Sequence, residues 1–163
     1  MAVITPTATI LRDNIGVVAG VGDAFAVKNV CATVELAAAS SSSAITFFKI
    51  PSNARICGAS RIYFDDLATS GSPTLDLGLF AVNGNVTSDD DALNDGLAVS
   101  AVSTANVGVQ VVKDIANFGK NAYLFVSGQT SDPGGLLLVK GTIRDAATTQ
   151  TGTVTLDLYY TLD

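Results

Sequence analysis

Oxygen-bearing side chains crowd into one short stretch of this sequence. Asp89, Asp90 and Asp91 are consecutive, and Asn94 and Asp95 follow closely. Carboxylate and amide oxygens are what a hard cation such as calcium accepts. The spacing is not that of an EF-hand. Counted from Asp91, Leu93 falls at a ligand position and Val102 falls where the closing glutamate belongs. The simpler reading is a solvated acidic loop whose aspartates cap a single helical turn between residues 86 and 94. On that reading calcium binding is weak and no metal or cofactor is required.

Other chemistry is excluded more firmly. The 163 residues include no histidine. That removes the commonest general base and the commonest neutral metal ligand, and with them Ser-His-Asp and Cys-His arrangements. No serine has a lysine three residues on. A phosphate loop fails at both ends, because Asp114 stands where its first glycine belongs and Asn121 follows Gly119-Lys120. Asp65 and Asp66 are adjacent, so on a strand they point apart, and no aromatic cleft accompanies them as a glycosidase pair would need. A non-enzymatic chain is expected.

Charge narrows the partners. The net charge is −6, and the nine Lys and Arg are scattered singly. A phosphate-backbone binder needs them clustered. Trp is absent, and the rings do not interleave with basic residues. Neither nucleic acid nor a membrane is an expected partner. The longest weakly apolar run, residues 16–22, is far too short to span a bilayer, and the first residues lack the basic and apolar regions of a signal peptide. Asn85-Val86-Thr87 matches a glycosylation sequon and reads as a chance match. Cys31 and Cys57 lie in apolar runs with no CxxC spacing, which suggests two buried free thiols. A single disulfide between neighbouring strands remains the alternative.

The regular elements of the chain read as strands. In residues 73–82 (PTLDLGLFAV), Leu75, Leu77, Leu79 and Ala81 alternate with Thr74, Asp76 and Gly78, the pattern of a strand with one buried face. Residues 152–162 alternate in the same way, with Val154, Leu156, Leu158, Tyr160 and Leu162 on one side. Strands are also expected over residues 25–36, 45–50, 54–64, 121–126 and 136–143, with a shorter one beginning near Leu97. The serine-rich residues 37–44 form a turn or loop, and Asp132-Pro133-Gly134-Gly135 is the clearest turn. About eight strands with turns between them predict one all-β domain, an antiparallel β-sandwich of jelly-roll type.

Residues 1–23 differ from the rest and read as an extended N-terminal arm; residues 24–163 form the sandwich. Charged residues make up 15% of the chain, against about 25% in a typical domain. Such a surface suits a protein partly covered by neighbours. The aliphatic residues of the arm, Ile10, Leu11, Ile15, Val17 and Val18, are candidate contacts with a second copy, the alternative being an edge strand on their own domain. Arg55 and Arg61 are candidate ion-pairing partners across the same boundary, or ordinary surface arginines.

The segment ITFFKIPSNARICGASRIYFDDLATSGSPTLDLGLFAVNG, with DALNDGL at residues 91–97, resembles structural proteins from the head and tail gene blocks of tailed bacteriophages. It shares their apolar strand ending in lysine and proline, a second strand with an acidic end, and a TLDLGL strand. The resemblance covers about a third of the chain. It implies a virion protein, of the capsid decoration or cement kind, working as a homo-oligomer, most simply a trimer. The implied partners are the major capsid protein or other virion proteins. A tail or neck protein is the related alternative, and a carbohydrate- or cell-surface-binding module is the alternative from another class.

Overall fold

A strand with one apolar face must bury it against a second sheet, and both long alternating segments do so. The computed structural model describes residues 26–67, 71–100, 108–146 and 150–162, and the backbone of residues 9–14. Among the described residues there are ten strands: β1 Thr9–Asn14, β2 Lys28–Ala39, β3 Ala44–Pro51, β4 Ala54–Ile56, β5 Arg61–Phe64, β6 Thr74–Ala81, β7 Asp89–Ala98, β8 Val109–Gln110, β9 Leu136–Arg144 and β10 Gln150–Leu162. They form two sheets. One runs β1-β2-β10-β5-β8, with β4 also pairing to β10; the other runs β3-β9-β6-β7. Every pairing is antiparallel. The all-β sandwich expected from the sequence is therefore present.

The core lies between the sheets. Val30, Ala32, Val34 and Leu36 of β2 point inward, as do Val154, Leu156 and Leu158 of β10. Facing them, Leu75, Leu77 and Leu79 of β6 are completely buried, beside Leu137, Val139 and Ile143 of β9. The inward alternation of β10 fades at its end, where Tyr160 and Leu162 are only partly buried. One flank is closed by the chain after β8. Val111 and Val112 are buried; Val111 N–H donates to the Ser60 carbonyl and Lys113 N–H to the Leu93 carbonyl. This segment spans from one sheet edge to the other.

Three expectations are corrected. Residues 121–126 are not a strand: Ala122–Phe125 is a 3-10 helix. The run is apolar at consecutive positions, so its periodicity does not separate a strand from a helical turn, and here Leu124 is exposed. Residues 86–94 do not form a helical turn. Asp89–Ala98 is the edge strand of the four-stranded sheet, giving the open side of β6 a backbone partner. No disulfide joins Cys31 and Cys57, and both are half-buried, not buried. Cys31 occupies an outward position of β2, between inward Val30 and Ala32. Burial is still enough to push the Cys57 thiol up.

The turn expected at residues 37–44 is shorter, because β2 runs on to Ala39 and β3 begins at Ala44, and residues 40–43 are tightly held. Ser43 N–H donates to the Ser40 carbonyl, Ser42 N–H to the Ile143 carbonyl, and Ile143 N–H to the Ser43 carbonyl. In the arm, β1 pairs with the outer side of β2 from Thr9↔Thr33 to Asn14↔Asn29, so within one chain it is the edge strand of the larger sheet. Of the candidate contacts, Ile10 and Leu11 fall in β1, whereas Ile15, Val17 and Val18 lie outside the described residues.

Candidate functional site

The acidic run lies where β7 departs from regular pairing. Leu77 of β6 is opposite Asn94, and Leu79 is opposite Asp89. Residues 90–93 therefore face the single residue Gly78, as an enlarged β-bulge. The backbone passes directly over that glycine. A Cβ on Gly78 would lie 2.3 Å from the Asp89 carbonyl oxygen and 2.5 Å from the backbone of Asp90. Only a residue without a side chain lets the acidic segment cross the outer face of β6 at this height.

Charged hydrogen bonds fasten the bulge. Asp76, on the outer face of β6, is 7% exposed. One carboxylate oxygen accepts the Gly96 N–H at 2.9 Å, and the other accepts Arg144 Nε–H at 2.8 Å. The same guanidinium pairs with the Asp90 carboxylate. Arg144 thus ties the acidic segment to the end of β9 across β6, and such charge-assisted bonds are stronger than neutral ones. The Asp89 carboxylate accepts the Ser127 N–H at 2.7 Å. Buried Asn94 turns its amide N–H groups towards the carbonyls of Gln110, at 3.2 Å, and Val111. The carbonyl of Asp95 accepts Lys113 Nζ at 2.8 Å.

This arrangement gives most of the acidic residues structural partners. Carboxylate oxygens of Asp89, Asp90 and Asp91 lie within 4.8 Å of one another. The Asn94 amide is turned away to the Gln110 and Val111 carbonyls. Asp90 and Asp89 are already paired to Arg144 and to a backbone N–H. The Asp91 carboxyl is pushed above the usual aspartate range, first by its hydrogen bond to Asp89, then by burial and by the charges of Asp89 and Asp95. The cluster acts chiefly as a fastening between β7, β6 and β9.

The remaining candidates separate. Arg61 is used locally, donating from Nη1 to the carbonyls of Gly58 at 2.7 Å and Ser60 at 3.0 Å. Arg55 is exposed on β4, whose backbone also bridges to Asn121. The outer face of the larger sheet is polar and internally bonded: Thr33 and Thr155 hydroxyls meet at 2.8 Å, Asn29 donates to Asp157 at 2.5 Å, and Thr153 donates to Glu35 at 2.6 Å.

An open cleft of about 430 Å³ lies between the 82–85 and 133–136 turns, with Val82, Pro133 and Leu136 in its wall. No aromatic ring lines it, so it lacks the stacking platform of a sugar site. Asn85 joins the two turns; its side chain accepts the Val82 N–H and donates to the carbonyls of Gly134 and Leu136. Gly78 carries a usable sequence signal, a glycine inside an otherwise leucine-rich strand. Residues 83–85 read as a turn in sequence, and Asn85 holds that turn through the Val82 N–H. Its bonds to the Gly134 and Leu136 carbonyls, like the ion pairs of Arg144, leave no local signal because the partners are remote in sequence.

Comparison with known proteins bears on the fold. No protein-family model matches the sequence, and no curated protein sequence does. Two solved structures contain chains of similar fold. One is the capsid asymmetric unit of cyanophage Pam1, where the TM-score is 0.59 at 18% identity over 88% of this chain and 90% of that one. The other is the capsid of Ralstonia phage GP4, with a TM-score of 0.55 at 21% identity over 88% and 90% of the two chains. At these identities the shared property is the fold, and it extends over nearly the whole sandwich.

Proposed function

We propose that this chain is a non-enzymatic structural protein of a bacteriophage virion, and specifically a capsid decoration or cement protein carried on the head lattice as a homotrimer. The observation that carries the reading is the match to chains of two phage capsid structures over 88% of the sequence. A match of that extent concerns the whole domain, not one shared motif.

The chemistry of the chain supports the same reading. The sequence holds no histidine and no nucleophile with a base at catalytic spacing. The acidic cluster is occupied with fastening the sheet. The low charge suits a surface that neighbours cover in an assembled particle, with the major capsid protein as principal partner.

Gold-labelled antibody raised against the purified protein tests the position. On intact particles of the phage that encodes the chain, label is expected over the head. Label confined to the tail or neck would replace decoration by the tail reading, and absence from particles would overturn the virion reading altogether.

A further inference from the structure

We infer that β1 is exchanged between copies: in the assembled oligomer, residues 9–14 of one copy complete the larger sheet of its neighbour by pairing with that neighbour's β2. The inference rests on the homo-oligomer reading above and adds to it the element exchanged and the edge that receives it.

The first ground is the connection. β1 and β2 are antiparallel, and Asn14 stands directly opposite Asn29. A hairpin with ends so placed is normally closed by two to five residues. Here residues 15–28 intervene, fourteen in all. Extended, fourteen residues reach about 46–50 Å, whereas a domain of this length is only about 40 Å across. The connection is far longer than a hairpin needs and long enough to reach the same edge on an adjacent copy.

The second ground is where β1 sits. Among the described residues it is the outermost strand of its sheet, paired on one side, to β2. The β2 edge of any copy offers the same ladder, so exchange preserves these pairings; this is why strand swapping is an economical route to an oligomer. Without β1, the edge of β2 would expose unpaired backbone groups. The third ground is the composition of the connection. Residues 15–25 read IGVVAGVGDAF, with a single charged side chain. A link crossing open solvent would be polar; an apolar one suits a path over another protein's surface.

Disulfide trapping tests the exchange. In full-length protein carrying Cys31→Ser and Cys57→Ser, one population receives Thr9→Cys and another Thr33→Cys, the two positions being directly opposed. The populations are unfolded, mixed, refolded and oxidised, then run on a non-reducing gel. A link between Thr9→Cys and Thr33→Cys can form only between copies, and it is expected in most assembled oligomers. Asn14→Cys with Asn29→Cys supplies a second opposed pair if the first disturbs folding. As a complement, replacing residues 15–27 by a three-residue turn makes the connection too short to leave its own chain. Light scattering should then show monomers of unchanged β content.

Oligomers in which neither pair forms a link between copies, or an unchanged oligomer after shortening, overturn the exchange and leave the homo-oligomer reading intact. A wild-type protein that is monomeric under assembly conditions overturns both.

Discussion

Replacing Gly78 by alanine is the sharpest structural perturbation available. The added Cβ would stand 2.3 Å from the Asp89 carbonyl oxygen and 2.5 Å from the Asp90 backbone. Ordinary contact would require about 1 Å more, and the obstructing atoms are backbone, which no rotamer change can move aside. Segment 89–91 must lift, which strains the Leu79↔Asp89 pairing, the Asp90–Arg144 ion pair and the Ser127–Asp89 hydrogen bond. Overpacking of this kind costs about 1–3 kcal/mol, and a weakened hydrogen bond adds about 0.5–1.5 kcal/mol. The reduced freedom of the unfolded alanine chain offsets about 0.4–1 kcal/mol. The net loss centres on about 2 kcal/mol, which corresponds to a fall in Tm of about 4–8 °C for a domain of this size. Gly141→Ala is the matched control. Its Cβ would meet Leu75 Cδ1 at 2.9 Å, the movable end of a side chain, so the expected loss is smaller, about 1 kcal/mol. Thermal and urea unfolding followed by circular dichroism measures both. A Gly78→Ala protein melting within 1 °C of wild type, or above Gly141→Ala, would refute the close crossing of the acidic segment over β6.

Other consequences follow from the same contacts. Arg144→Met removes the link between Asp76 and Asp90; because the arginine is partly exposed, a loss of about 1–2 kcal/mol is expected, and it should be less than additive with Gly78→Ala in a double-mutant cycle. Asp91→Asn should raise Tm at neutral pH and low salt. The native Asp91 carboxyl is raised, so between the ordinary aspartate pKa, about 4, and its own higher value the folded state binds more protons than the unfolded one, and stability falls as pH rises through that window. The advantage of asparagine should therefore vanish below about pH 4 and shrink in high salt; an advantage unchanged by either would show that charge is not the cause. Leu77→Ala, at a fully buried position of β6, should cost about 3–5 kcal/mol by urea titration, and a loss under about 1 kcal/mol would deny it a place in the core.

The sandwich was legible where apolar residues recur at every second position along a strand. Leu75, Leu77 and Leu79 and the run from Val154 to Leu158 carry period-two alternation, and the structure buries those residues. Legibility failed where a run is apolar at every position or where partners are remote. Ala122–Phe125 is apolar at every position, so a strand and a 3-10 helix look alike in sequence. β7 reads as loop or helical turn because its alternation is broken by the bulge at residues 90–93. That bulge depends on Gly78 and Arg144, which are distant in the chain. The acidic residues were found as a cluster, but their role could not be seen without Arg144 and the Ser127 N–H, since pairing across a sheet leaves no local trace. Cys31 was placed on the wrong face because its neighbours are apolar, although its odd-numbered register with Thr33 and Glu35 is the outward one.

Cryo-electron microscopy of intact particles of the encoding phage, at a resolution that traces strands, tests the central claim most directly. The account predicts density for the two antiparallel sheets, four-stranded and six-stranded, repeated over the head on the outside of the major capsid protein. A fully accounted head map with no such sandwich, or the sandwich found only in the tail, would contradict it.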